Sequence, residues 1–317
     1  MLTGKDAIWE VVRHAETVDR DASSHWRDTG IETAKHPLGE DPFNLVYGDR
    51  GFGIVGPIGS VSMKTGLAHR IMHGLLQTPI RAKGSGLRNF APSQRIAKAL
   101  VKRQGRAFDK DVLRHSLTMA LCQDHLDLNP QDGCFAVIGD GFGTMSALIL
   151  DSVPGSKVIL ANLSKTLLVD LAFLYKAFGA EGIAYADSPE TIKEATRHPD
   201  VRIIGVRADD ASLLREVPIQ LAFNLFSMME MDPPVTAKYF EYLRQSPAER
   251  TAFYCCNRDK VLPDGTETRF LDYPWDEADE ILVDGPCPWT KLSYHGRPPF
   301  YYHSGHFLHR LAWLKKA

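Results

Sequence analysis

The sequence predicts an α/β fold: a Rossmann-like sheet with helices on both faces, preceded by a mainly helical N-terminal region. Three observations predict it. From residue 133 onward, short apolar runs alternate with helical patterns, the signature of βαβ units and a mostly parallel sheet. The first of these runs, CFAVI at 134–138, passes directly into Gly139-Asp140-Gly141-Phe142-Gly143, and a helical pattern follows. Before it, residues 61–130 carry apolar positions at helical spacing.

Taken in order, residues 7–18 have helical spacing, a polar turn-rich stretch follows, and 48–59 is glycine-rich loop. Leu67, Ile71 and Leu75 recur every fourth residue, and 108–128 presents Val112, Leu113, Leu117, Ala120 and Leu121 as an amphipathic stripe. Asn129-Pro130-Gln131-Asp132-Gly133 breaks that helix. The chain then reads strand 134–138, helix 144–150, strand 157–161 and helix 163–178. A short helix near 189–195 precedes a strand at 201–206. A strand at 219–223, a helix at 233–244 with proline in its first turn, and a strand at 251–256 complete the alternation. The proline-rich last 60 residues hold strands near 281–283 and 306–314. We place a boundary between an N-terminal extension and helical region, 1–107, and a Rossmann-like region, 108–317.

Composition restricts the function. The chain has 317 residues, 44% hydrophobic and 24% charged, the balance of a globular protein. The 37 basic and 39 acidic residues nearly cancel, so no electrostatic reason points to nucleic acid or an anionic membrane as partner. The basic stretch 95–106 reads as a solvated helix face. The cysteine count is odd, with no C-x-x-C, so the five cysteines read as small core residues in a reducing compartment. No signal-peptide pattern or membrane-length apolar run is present, and the expected location is cytoplasmic.

A dinucleotide fingerprint requires G-x-G-x-x-G, but the sixth position counted from Gly139 is Thr144. What stands here, G-x-G-x-G, resembles the first motif of class I methyltransferases; the bland alternative is a tight βα turn that binds nothing. That resemblance implies S-adenosyl-L-methionine as cofactor, wrapped by Gly139, Asp140, Gly141, Phe142 and Gly143, with Asp140 toward its ammonium group. It also implies a ribose-binding acid at the end of the second strand. Asn162 stands there instead: it accepts and donates, but a lost charged acceptor weakens binding by about 1 kcal/mol or more.

The strand at 219–223 runs into Asn224, Ser227, Glu230 and Met231. Asn224 and Ser227 read either as cofactor contacts near the transferring methyl or as caps of the next turn. The strand at 251–256 ends in Asn257-Arg258, where Arg258 is either a clamp for a substrate phosphate or carboxylate or an ordinary surface arginine. The segments FAVIGDGFG, VILANLSKTL, LAFNLFSMMEM and YCCNR together resemble the bacterial sugar O-methyltransferase family over about residues 108–258. Asn224, Ser227, Glu230 and Met231 match that family's N-x-x-S-x-x-E-M segment, and Tyr254 and Asn257 its late Tyr…Asn. The resemblance implies methyl transfer to a hydroxyl of a sugar or glycosylated metabolite, with Met231, Tyr254, Asn257 and Arg258 toward the acceptor.

A sugar hydroxyl needs a general base, and the expected ones are Glu230, His303 and His306. His303, His306 and His309 are spaced for both faces of a strand, which is poor spacing for a metal, and no metal site is expected. Asp209-Asp210 reads as a solvated turn or cap. A homodimer is compatible with the sequence. The competing readings are a nicotinamide-dependent oxidoreductase and a non-catalytic ligand-binding member of the same fold.

Overall fold

The computed structural model describes residues 1–28, 58 and 65–317. The glycine-rich loop expected at 48–59 lies outside the described residues except for Ile58. Strands are numbered in chain order: β1 Leu2–Thr3, β2 Cys134–Ile138, β3 Val158–Asn162, β4 Ile183–Tyr185, β5 Ile203–Arg207, β6 Ile219–Leu225, β7 Thr251–Arg258, β8 Lys260–Val261, β9 Glu267–Thr268, β10 Glu280–Pro286, β11 Leu292–Tyr294, β12 Tyr301–His303 and β13 Phe307–Leu314.

Nine of these form one sheet in the order β1-β4-β5-β3-β2-β6-β7-β13-β10. The six from β4 to β7 are mutually parallel, while β1, β13 and β10 pair antiparallel. The expected Rossmann-like α/β architecture is therefore present. In an all-parallel dinucleotide-binding sheet the strand beyond β7 would run parallel; here β13 runs against it.

Alternation along each central strand separates two cores, because successive side chains leave opposite faces. Phe135, Val137, Val158, Leu160, Leu221 and Phe223 join one core, with helices Gly4–His14, Phe90–Arg103, Lys110–His125, Thr144–Ser152 and Ser164–Phe178. Ala136, Ile138, Ile159, Ala161 and Ala222 join the other, under helices Pro189–Arg197 and Pro233–Gln245. Burial on both faces is why CFAVI of β2 and VILA of β3 read as continuous apolar runs. The first core has members on both sides of residue 107, from Ala7 and Leu100 to Phe135 and Leu311. All five cysteines are buried and unpaired. No helix among the described residues is long and apolar enough to cross a membrane.

Several elements differ from expectation. β1 and β4 were not foreseen; at two and three residues they are too short to show alternation. The helix expected at 7–18 spans Gly4–His14. The 67–75 stripe does sit on a helix, Leu67–Leu76, but Leu67, Ile71 and Leu75 are 71%, 54% and 65% exposed. Its buried side chains are His73 and Leu76.

The chain reverses direction of growth at β2: β3, β5 and β4 extend one way, β6 and β7 the other. The crevice at the carboxyl ends of β2 and β6 is the switch point where such sheets bind ligands.

Candidate functional site

The loop after β2 is held in a left-handed course, with φ of 71° at Gly139, 86° at Gly141 and 58° at Gly143. A Cβ on Gly143 would meet Leu174 Cγ at 2.8 Å and the Asp170 carbonyl at 2.9 Å, whereas one on Gly141 would meet nothing within 4 Å. Gly143 is thus required for packing and Gly141 faces open space.

Two carboxylates hold this loop. Asp140 accepts from Met145 N–H (3.0 Å) and Ser146 N–H (2.8 Å), closing the start of helix Thr144–Ser152. Asp170, fully buried, accepts from Gly143 N–H (2.9 Å) and from the Asn162 amide (2.8 Å). Burial, reinforced by the nearby Asp140 charge, pushes the Asp170 carboxyl well above the usual range; hydrogen bonds from Asn162 and Gly143 oppose it. Asn162 Oδ1 accepts from Leu163 N–H at 2.9 Å, so its amide orientation is fixed.

Around the loop lies a cavity of about 210 Å³. Gly139, Asp140, Gly141, Phe142, Asn162 and Ser227, all expected at the cofactor, line it. So do Trp26, Arg106, Asp109 and His115, none of which was foreseen. Arg106 donates to Thr144 Oγ1 (2.9 Å) and lies over the rings of Phe142 and Phe173. His115 Nδ1 pairs with the Asp111 carbonyl at 2.6 Å. A carbonyl only accepts, so Nδ1 carries the proton and Nε2 of the neutral ring is the basic atom.

Asn224, expected at the cofactor, is 0% exposed. Its amide donates to the Ile138 carbonyl (2.9 Å) and Ser227 Oγ (2.6 Å). Its oxygen accepts from Met228 N–H (3.1 Å) and the Asn257 amide (2.8 Å). The residue ties together the ends of β2, β6 and β7 and positions the site instead of touching a ligand. Tyr254 and Asn257, expected at the acceptor, are likewise 0% exposed. Tyr254 bonds His309 Nδ1 (3.0 Å), and Asn257 accepts from Met229 N–H (3.1 Å), so both belong to the core. Met231 packs partly buried against the second core and lines neither cavity described here.

Glu230 lines the cavity but is engaged: its Oε1 meets Lys260 Nζ at 2.9 Å and His25 Nε2 at 3.3 Å. Burial favours its protonated form, yet hydrogen bonds from His25 and Lys260 prevail and hold the carboxyl below its usual range. A carboxylate held low is a weak base, which argues against the expected catalytic role. Because its pKa is depressed in the fold, Glu230 stabilises at neutral pH, and that contribution is lost as pH falls through the folded value. Glu230→Gln is expected to cost about 1 kcal/mol at pH 7 and progressively less below pH ~4, read from denaturant unfolding across pH.

The segment 19–28 runs along this edge. Asp19 accepts from Ser164 N–H (2.8 Å), Asp209 accepts from Asp21 N–H (3.0 Å), and Ser23 donates to the Glu230 carbonyl. Asp209 thus anchors this segment, while Asp210 pairs with Arg207 at 2.8 Å.

A second cavity, of about 500 Å³, shares Phe226 with the first. Phe226 adopts φ 65° and packs edge-on to Phe307. Lys110, Arg114, Arg258 and His303 line this second cavity. His303 accepts from Gly305 N–H (3.0 Å), and its ring lies 5.2 Å from that of His306, which lines neither cavity. The expected base His303 therefore lines the second cavity and not the one around the glycine loop, and the expected base His306 lines neither.

No family model matches the chain, and no curated sequence matches it. Distant likenesses exist among solved structures. The pyocyanin biosynthetic protein PhzM aligns at 12% identity over 62% of this chain and 56% of that one, with a TM-score of 0.36. The chain thus spans little more than half of PhzM. A protein converting a disulfide bond into a thioacetal group in echinomycin biosynthesis aligns at 13% over 62% and 80%, with a TM-score of 0.41. Geranyl diphosphate C-methyltransferase from Streptomyces coelicolor A3(2), in complex with S-adenosyl-L-homocysteine, aligns at 10% over 64% and 76%, also at 0.41. At this distance the fold assignment rests on the strand order itself.

Proposed function

We propose that the chain is an S-adenosyl-L-methionine-dependent O-methyltransferase acting on a hydroxyl of a sugar or glycosylated small molecule. One observation carries the choice of cofactor over a dinucleotide. A pyrophosphate would need the free N–H groups at the start of helix Thr144–Ser152, and those of Gly143, Met145 and Ser146 are taken by Asp170 and Asp140. The surrounding cavity wall carries Asp109, Asp111, Asp140 and Glu230 against Arg106 and His115. Glu230 is paired with Lys260 and Asp111 with Arg114, and the Asp140 carboxylate beside the loop suits a ligand bearing an ammonium.

The residues present fit that ligand. Gly141 leaves room for close approach of the backbone, and Asn162 and Ser227 offer neutral hydrogen-bonding groups. Arg106 supplies a cation for the cofactor's carboxylate. When bound, the cofactor supplies an electrophilic methyl for in-line displacement. The chain's part is to align the acceptor oxygen, keep water out, and receive the hydroxyl proton at His115 Nε2. The sugar nature of the acceptor rests on the sequence resemblance over residues 108–258, and the distant methyltransferase likenesses agree with the reaction class. Incubation with isotopically methyl-labelled cofactor and a panel of glycosides tests the reading. Labelled methyl on a glycoside hydroxyl is expected; transfer to no hydroxyl, or hydride transfer with a nicotinamide, would refute it.

A further inference from the structure

The second cavity has the opposite charge character from the first. Lys110 and Arg114, on helix Lys110–His125, are 5% and 6% exposed, and Arg258 ends β7. All three converge on residues 302–304. Lys110 Nζ donates to the Tyr302 hydroxyl at 3.2 Å, Arg114 Nη2 to Ser304 Oγ at 3.4 Å, and Arg258 Nη1 to the Ser304 carbonyl at 3.0 Å. Arg114 is paired with Asp111 at 3.1 Å. Lys110 and Arg258 have no carboxylate partner among the described residues, and Arg258 Nε is buried without a hydrogen-bond partner. His303 adds a further group on the same wall. The positive field is felt locally: burial opposes it, but hydrogen bonding with Ser293 and the Lys110 charge hold the Tyr302 hydroxyl below its ordinary range.

Lys110 is buried and Arg258 half-buried, and a cation withdrawn from water without a carboxylate partner is unfavourable unless a ligand supplies the anion. Phe226 is common to this cavity and the acidic one around the glycine loop. We infer that the cavity lined by Lys110, Arg114 and Arg258 binds an anionic group, a carboxylate or phosphate, carried by the acceptor molecule. The hydroxyl to be methylated then reaches past Phe226 toward His115. The inference rests on the methyl-transfer reading only in identifying the bearer of the anion as the acceptor.

Calorimetric titration of the full chain with glucose 6-phosphate, glucuronate and glucose, at low and at high salt, tests it. Lys110→Gln, Arg258→Gln and S-adenosylhomocysteine titrations run in parallel. The expected result is binding of the phosphate or the uronate, weakened by salt, with glucose at least tenfold weaker and each variant losing about tenfold or more. Whichever anion binds tighter identifies the phosphate or carboxylate source. Retained adenosylhomocysteine binding shows that a variant is folded. Failure of both anions to bind wild type, or equal binding of glucose, overturns the inference without any variant. Wild-type anion affinity in both folded variants also overturns it. Loss of adenosylhomocysteine binding by wild type would instead strike the methyl-transfer reading and leave a salt-sensitive anion site standing.

Discussion

His115→Asn is expected to lower kcat for methyl transfer about 10²- to 10⁴-fold, the range for loss of a general base, with adenosylhomocysteine affinity nearly unchanged. His115 lines the same cavity as the glycine loop, and its Nδ1 is committed to the Asp111 carbonyl, leaving Nε2 as the proton acceptor. The competing carboxylate, Glu230, is held ionised by Lys260 and His25 and has little drive to take a proton. Glu230→Gln should therefore lower kcat far less than His115→Asn. Steady-state kinetics of the two variants separate the roles: the kcat loss should be large in the His115 variant and small in the Glu230 one. A larger loss in the Glu230 variant would exchange the two roles.

The second large effect is a contrast between two glycines of one loop. Gly143→Ala is expected to destabilise the fold by about 2–4 kcal/mol, because a left-handed alanine costs about 1–2 and its Cβ would drive into Leu174 and the Asp170 carbonyl. Gly141→Ala carries the left-handed cost alone, about 1–2 kcal/mol, since its Cβ meets nothing within 4 Å. A further cost should appear in ligand binding, as a loss of about tenfold or more in adenosylhomocysteine affinity, because the methyl enters the space the ligand needs. Thermal or urea unfolding measures the first term and calorimetry the second. Equal destabilisation by both substitutions, with no binding difference, would mean that Gly141 does not face the ligand.

The central sheet was legible because β2, β3, β5, β6 and β7 are buried on both faces, and each is therefore dominated by apolar residues. β1 and β4 were not, since their pairing is fixed by neighbours and not by their own pattern. The glycine loop was legible for the reason that governs its conformation: three glycines hold three positive φ values.

Asn224, Tyr254 and Asn257 stood out as polar groups at strand ends, but sequence alone does not tell a ligand contact from a buried tie between strands. Here they bond one another, the backbone or His309. Asp170 and His115 were missed because their partners are set by the fold. A signal for Asp170 was available: it is the lone charge in the apolar run LLVDLAFL, and a buried acid in such a run needs donors. His115 sits on the expected amphipathic helix, and only the packing of that helix against helix Thr144–Ser152 brings it to the glycine loop.

The measurement that bears most directly on the assignment is calorimetric titration of the wild-type chain with S-adenosylhomocysteine, with NAD as control ligand. The occupied helix start and the Asp140 carboxylate beside the loop predict saturable binding of adenosylhomocysteine and no heat from NAD. Binding of NAD with none of adenosylhomocysteine would contradict the account, because a pyrophosphate would then have displaced Asp140 from the Met145 and Ser146 amides.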